Sequence, residues 1–239
     1  MFQNKKLICF DLDGTLIDSV GVWNQIDAEL INELSGQQID FPTIQQQRDE
    51  QLKKFKTLAD PYLEYCGFIK QKYQIDLDKK VIKERRYGIS YYFLDHVIDL
   101  KPKAEVFLNT LKSQGVILAL TTTTSINNVE RYRKNNMNIQ QKIDIKQLFS
   151  LILTREDVEN IKPHPEMYLK AIKHFNVSAD ECLIIEDSLI GVEAANCAKI
   201  DVAAIYDQYS AHELEDIKSK ADYFVESYDM FLERLKNKK

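Results

Sequence analysis

Four consecutive apolar residues, Leu7-Ile8-Cys9-Phe10, end abruptly at a carboxylate, Asp11. A run without polar alternation reads as a strand covered on both faces, as in a parallel sheet. Comparable runs recur at residues 116–120, 151–153, 182–185 and 202–205, with a weaker one at 223–225. Between them the apolar spacing changes to that of a helix. Ala104, Phe107, Leu108 and Leu111 repeat at three and four residues, and Gly115 then supplies a stop. Pro165 stands at a favourable first helical position, ahead of Tyr168, Ala171, Ile172 and Phe175. Strand and helix alternate from about residue 100 onward, which marks an α/β domain built on a parallel sheet.

Residues 19–97 interrupt this alternation. Val20, Trp23, Asp27, Leu30, Ile31 and Leu34 give a mostly apolar helical face, with Ser19 as its expected cap and Gly36 as its expected end. Further helices are predicted near 44–57, 60–73 and 79–93, and no convincing strand lies among them. The segment reads as an all-helical insert placed after the first strand. The core is then expected from residues 1–18 and 98–239, and the insert from 19–97.

The chain of 239 residues is long enough to bury a sizeable core. Its net charge of −5 argues against a nucleic-acid partner, which calls for a basic excess. The basic end at residues 236–239 reads as a solvated helix terminus. Cys9, Cys66, Cys182 and Cys197 show no C-x-x-C spacing, so neither a disulfide framework nor a zinc site is expected. Cys9 and Cys182 lie within apolar runs and behave as small hydrophobes. No apolar run approaches the ~20 residues of a membrane span, and the first residues lack a signal-peptide pattern. A cytoplasmic protein is expected.

Chemistry concentrates at strand ends. Asp11-Leu12-Asp13-Gly14-Thr15-Leu16-Ile17-Asp18-Ser19 follows the first strand directly. In an open parallel sheet the carboxyl ends of strands face the ligand crevice. There Asp11 can act as nucleophile and metal ligand, and Asp13, on the turn, as acid and base. A bare Asp-x-Asp-Gly is also an ordinary turn; the full string is more specific. Glu186-Asp187-Ser188 closes the run at 182–185 in the same way. It can cap the helix that follows, or supply oxygens to a hard cation such as magnesium. Pro163 and Pro165 stiffen the loop that carries Lys162, whose charge can neutralise a phosphoryl group. Thr121-Thr122-Thr123-Thr124-Ser125 ends another strand. Most of these residues read as a β-branched tail with Ser125 as a helix cap, and one threonine is expected to hold phosphate oxygens.

These four elements, in this order, resemble the haloacid dehalogenase superfamily of aspartate-nucleophile phosphotransferases over nearly the whole chain. The likeness is greatest to the subgroup of phosphoglycolate phosphatases and β-phosphoglucomutases. It implies a Rossmann-like parallel-sheet core with an inserted all-helical cap domain. It implies a magnesium-dependent phosphatase acting on a small phosphorylated metabolite through an aspartyl phosphate, and a monomer or weak dimer. Asp11 is then the nucleophile and Asp13 the general acid and base. Thr122, with Thr121 as alternative and Thr123 beside it, binds phosphate together with Lys162. Asp11, Asp187, Glu186 and Asp13, the last through its carbonyl, are the metal ligands. Three departures stand out: Ile161 where the subgroup usually has Gly, Lys103 after Pro102 where it usually has Gly, and a longer polar stretch at 135–147.

Other chemistries fit less well. Enzymes of the superfamily that attack carbon need no magnesium and lack the second aspartate. Carbon–phosphorus cleavage needs a cap lysine. Lys53, Lys54 and Lys56 are candidates by type only, and Arg48, Arg85 and Arg86 are no better placed, so solvated helix faces are the expectation for all six. A phosphomutase needs a second phosphate site, for which Arg48 stands in a suitable stretch. An inactive binding protein would be missing a nucleophile or a metal ligand, and here all are present. Tyr62, Tyr65, Tyr73, Tyr87, Tyr91 and Tyr92 are expected in helix packing, and Trp23 and Gln25 near the cleft.

Overall fold

The computed structural model describes residues 1–55 and 58–236. The chain forms two compact units, Met1–Ser19 with Ile98–Lys239, and Val20–Val97.

In the first unit, six parallel strands form one sheet among the described residues: β1 (Leu7–Phe10), β2 (Ile117–Thr121), β3 (Leu151–Leu153), β4 (Cys182–Glu186), β5 (Asp201–Ile205) and β6 (Tyr223–Val225), in the order β3-β2-β1-β4-β5-β6. The fold is Rossmann-like. Every residue of β1 and β4 is buried, as the apolar runs Leu7–Phe10 and Cys182–Ile185 require, and the carboxylate Glu186 that ends β4 is buried with them. Phe10 pairs with Leu120 on one side and Ile185 on the other. The next residues, Asp11, Thr121 and Glu186, therefore emerge together at one edge. The chain order reverses at β1, so this edge is the topological switch point where open α/β sheets bind ligands.

Helices cover both faces: α5 (Ala104–Ser113), α6 (Ile126–Lys134), α7 (Met137–Gln140), α8 (Ile145–Leu148), α9 (Glu166–Phe175), α10 (Leu189–Ala198), α11 (Leu214–Lys220) and α12 (Tyr228–Lys236). Along β1 the side chains alternate. Leu7 and Cys9 join a core with Tyr168, Ala171, Val192 and Ala195. Phe10 turns the other way, onto Phe107, which stacks on Phe231 with centroids 5.1 Å apart. The polar stretch at 135–147 holds the short helices α7 and α8, started by Asn136 and Asp144, whose side chains accept backbone N–H groups. Ser125 caps α6 as expected. Pro165 precedes the first residue of α9 instead of being it. Lys103 has φ +67°, in the left-handed region. That explains the glycine usual there, since a side chain raises the energy of this conformation. Residues 237–239 of the basic end lie outside the described residues.

The second unit contains α1 (Val22–Ser35), α2 (Phe41–Phe55), α3 (Pro61–Lys72) and α4 (Lys79–His96). Leu30, Ile31, Ile44, Cys66, Ile69 and Ile82 form its core. Gly36, at φ +72°, ends α1 as expected. Ser19 does not cap α1; its hydroxyl is engaged elsewhere, and no side chain caps that helix.

The expectation of solvated cations fails for two of the six. Lys53, Lys54 and Arg85 are exposed, and Lys56 lies outside the described residues. Arg86 and Arg48 are buried, because Asp27 is buried on the apolar stripe of α1 and draws them in. Arg86 places Nε 2.5 Å from Asp27 Oδ1, and Arg48 Nη1 and Tyr65 Oη donate to Oδ2 at 3.3 and 3.1 Å. The Trp23 ring lies 4.8 Å from the Arg86 guanidinium. Tyr65 and Tyr73 are buried as expected, but Tyr91 and Tyr92 are exposed. They fall on the outer side of α4, away from Phe93 and Leu94, which are buried.

Candidate active site

The turn after β1 is built to carry charge. Gly14 has φ +80°, and its Cα approaches Asp187 so closely that a Cβ would stand 2.3 Å from Oδ2. Only glycine permits both the dihedral and the approach. Asp11 continues the sheet pattern by donating its N–H to the Ile185 carbonyl at 3.0 Å. Its carboxylate thereby lies beside those that close β4. Ligand oxygens of Asp11, Glu186 and Asp187 all lie within 4.8 Å of one another, and all three residues are buried.

Lys162 is the cation in this cluster. Its Nζ donates to Asp11 Oδ1 at 2.6 Å, to Glu186 Oε1 at 2.6 Å and to the Thr121 carbonyl at 2.9 Å. An ammonium has three protons, so all are placed. Ile161 is 53% exposed, so its side chain occupies solvent where the subgroup has glycine, and Lys162 still reaches the strand ends. One ammonium faces three carboxylates. Burial, resisted by Lys162 and reinforced by Glu186, pushes the Asp11 carboxyl up to about 8. Burial and the adjoining Glu186 and Asp11 likewise raise Asp187. A buried excess of carboxylate oxygens, with no nitrogen or sulfur among them, fits a hard divalent cation.

Glu186 is held on both oxygens. Oε1 accepts from Lys162 and from the Tyr168 hydroxyl at 2.7 Å. Oε2 accepts from the Asp187 N–H at 3.2 Å and the Ser188 hydroxyl at 3.1 Å. Gly191 makes room for it, since a Cβ there would meet the carboxylate at about 2 Å. Ser188 also caps α10 by accepting the Gly191 N–H. The capping and the charged readings of this motif are therefore both present.

Asp13 stands apart from that cluster. Ser19 Oγ donates to Oδ1 at 2.6 Å, and the Thr124 hydroxyl donates to Oδ2. Burial raises its pKa against the opposing effect of those two hydroxyls. The threonine run divides cleanly. Thr121 spends its hydroxyl on the Phe10 carbonyl at 3.1 Å. Thr122 Oγ1 accepts the Thr124 N–H at 3.1 Å, which leaves its own proton to donate. Thr123 is half-buried on the same turn. Thr15, Ser19, Thr124 and Tyr168 are among the contributors that escaped the sequence reading. The first two lie inside the recognised string and the third inside the hydroxyl run. Tyr168 sits on an apolar helical face, where nothing distinguishes a hydroxyl with a buried partner from a packing residue.

The model of the family described as haloacid dehalogenase-like hydrolase matches residues 8–205. A bifunctional riboflavin kinase/FMN phosphatase of Arabidopsis thaliana is 28% identical over 204 residues, 84% of this chain, which spans only 49% of that relative's length. A phosphoglycolate phosphatase of Pasteurella multocida is 25% identical, over 95% of this chain and 96% of its own. A solved structure of a candidate β-phosphoglucomutase from Thermotoga maritima has a TM-score of 0.73 at 21% identity, covering 97% of this chain and 99% of the other, a likeness of fold. The strand-end carboxylates and the buried lysine therefore stand within a match that spans most of the sequence, and the chain belongs to the haloacid dehalogenase-like hydrolases.

Proposed function

We propose that the protein is a magnesium-dependent phosphatase that hydrolyses a small phosphomonoester through an aspartyl phosphate. The observation that carries this reading is the convergence of Asp11, Lys162 and Asp187 at the ends of β1 and β4. Named relatives that are phosphatases support the reaction class. A divalent cation would be held by Asp11, Asp187 and the backbone carbonyl of Asp13. When bound, it supplies positive charge to the phosphoryl oxygens. Glu186, with both oxygens taken, is better read as the group that holds Lys162 than as a ligand.

The protein's own steps follow. Lys162 and the Thr122 hydroxyl hold phosphoryl oxygens. Asp11 attacks phosphorus through Oδ2, the oxygen without a hydrogen-bond donor among the described residues. As the ester P–O bond breaks, Asp13 gives its proton to the leaving alkoxide; burial raises its pKa, in the direction that favours the protonated acid. Asp13, now charged, takes a proton from water, which attacks phosphorus and releases inorganic phosphate from Asp11. A small phosphorylated metabolite is the substrate, and four free thiols suit a reducing cytoplasm. No helix among the described residues is long and apolar enough to cross a membrane.

A phosphomutase would need Arg48 for a second phosphate. Here Arg48 is 7% exposed and points its guanidinium at Asp27, which counts against that use. The test is phosphate release from a panel of phosphorylated metabolites, with and without magnesium. Phosphorus NMR on sugar phosphates, primed with a trace of bisphosphate, checks the other reaction. Isomerisation outpacing phosphate release would overturn the phosphatase reading.

A further inference from the structure

Asp187 is held by one residue of the first motif and by another that no motif names. Thr15 Oγ1 donates to its Oδ1 at 2.7 Å, and Ser210 Oγ lies 3.4 Å from its Oδ2. Both carboxylate oxygens are thus engaged by hydroxyls, which limits rotation of the group. Each hydroxyl is in turn anchored from a distant part of the chain. The Tyr228 hydroxyl, at the start of α12 and 213 residues away in sequence, donates to the Thr15 carbonyl at 3.0 Å. Thr15 is 0% exposed and Tyr228 is 1% exposed, so bulk solvent does not reach this contact.

Ser210 rides on the turn after β5. There the Asp207 carboxylate accepts the Tyr209 N–H at 2.9 Å, and the Asp207 carbonyl accepts the Ser210 N–H at 3.2 Å. Asp207 is fixed by Lys101, whose Nζ lies 2.8 Å from Oδ2. The turn is therefore pinned at its base, and the serine is presented to Asp187 from a defined position. Ser210 and Tyr228 both lie beyond residue 205, outside the segment matched by the family model.

We infer that Ser210 and Tyr228 are positioning residues that orient Asp187 for a divalent cation, so that the end of the chain sets the metal affinity of the site. This rests on the reading of Asp11 and Asp187 as metal ligands. Hydrogen bonds to a ligating carboxylate fix its orientation before the metal arrives, and their loss commonly costs 10–100-fold in affinity. The 3.4 Å contact places Ser210→Ala below that range, at about 3-fold. Tyr228→Phe removes the anchor of the shorter Thr15 contact and should weaken binding by about 10-fold.

The experiment is calorimetric titration of magnesium into chelator-stripped protein, well below the unfolding temperature of every variant, with melting temperatures measured alongside. Wild type, Ser210→Ala, Ser210→Thr, Tyr228→Phe and the double variant Ser210→Ala with Tyr228→Phe are compared. The expected result is a raised Kd in Ser210→Ala and Tyr228→Phe, a further rise in the double variant, and recovery toward wild type in Ser210→Thr, which keeps a hydroxyl. A lowered melting temperature with an unchanged Kd would show a purely structural role and overturn the inference. Absence of magnesium binding in wild type would instead sink the metal site itself, and this inference with it.

Discussion

Removing the charge of Asp27 should destabilise the helical unit while leaving the shape of the side chain almost untouched. The carboxylate is 0% exposed and accepts from Arg86, Arg48 and Tyr65. Asp27→Asn is nearly isosteric, but it leaves two buried guanidinium groups facing a neutral amide. Arg86 is the worse placed, at 1% exposure. It cannot shed its proton, and the Asp27 charge holds its pKa up against the effect of burial. Arg48 has a second carboxylate, Asp49, at 4.0 Å and is less dependent. Breaking one buried ion pair costs about 3–5 kcal/mol, so ~4 kcal/mol is expected. Trp23 is the only tryptophan in the sequence, and it lies over Arg86, so its fluorescence reports this unit selectively. A urea titration followed at Trp23 should show the midpoint falling by about 2 M, for a slope of roughly 2 kcal/mol/M. The double variant Asp27→Leu with Arg86→Met should recover most of the loss, because an apolar pair replaces buried charge at little cost. A loss under about 1 kcal/mol in Asp27→Asn would refute the assignment of this cluster as a buried ionic core.

At the strand ends, Asp11→Asn should abolish phosphate release, since an amide cannot form the acyl phosphate, and chelation of wild type should do the same reversibly; measurable turnover by the variant would end the nucleophile assignment. Asp13→Asn should lower kcat by about 10²–10⁴ with little change in KM for substrates with poor leaving groups, and a near-normal kcat would remove Asp13 from its role. Burial raises Asp11 to about 8, so the folded metal-free protein keeps a proton that the unfolded chain has already lost above about pH 4. Stability of chelated protein should therefore fall between pH 6 and 8, and magnesium should restore more at pH 8 than at pH 6; a melting temperature that rises over that window in the chelated protein would contradict this sign. Lys103→Gly should raise stability by about 0.5 kcal/mol, the relief of a left-handed side chain less the added freedom of glycine when unfolded, and a drop in melting temperature would show that Lys103 makes an offsetting contact.

The sheet was legible because each central strand carries an unbroken apolar run, with polar residues only at its ends. Cys182-Leu183-Ile184-Ile185 is one instance, and it began within the observed strand. Helix boundaries were less legible where the start signal had another use. Ser19 has the composition of a cap, yet its hydroxyl serves Asp13 at 2.6 Å, and α1 starts without a side-chain cap. Asp27 was visible as a lone carboxylate on an apolar stripe. A buried charge demands a partner, so the signal for Arg48 and Arg86 lay in Asp27 and not in the arginines themselves. Local periodicity cannot find such a pair, because α1 and α4 are brought together only by tertiary packing.

At the candidate site the same division holds between charges and the groups that hold them. Asp11, Asp13 and Asp187 announce themselves by type, order and place at the ends of apolar runs, and Lys162 only by the prolines of its loop and the company of those carboxylates. Tyr168, Ser210 and Tyr228 do not, since a tyrosine on an apolar face and a serine on a turn are ordinary residues until their partners are known. The partners decide what the charged groups can do. Lys162 has placed all three protons, on Asp11, Glu186 and the Thr121 carbonyl. A phosphoryl oxygen can be hydrogen-bonded only if one of these is released. The carbonyl is fixed in β2, and Glu186 is clamped by Tyr168 and Ser188. Asp11 is the one acceptor whose charge would fall during phosphoryl transfer, as its carboxylate becomes an acyl phosphate. The hydrogen bond from Lys162 to Asp11 Oδ1 is therefore the one expected to weaken as the phosphoryl group arrives. Under the proposed reaction Lys162 would move its hydrogen bond from nucleophile to phosphate, and Glu186 would keep the ammonium charged and in place while it does so.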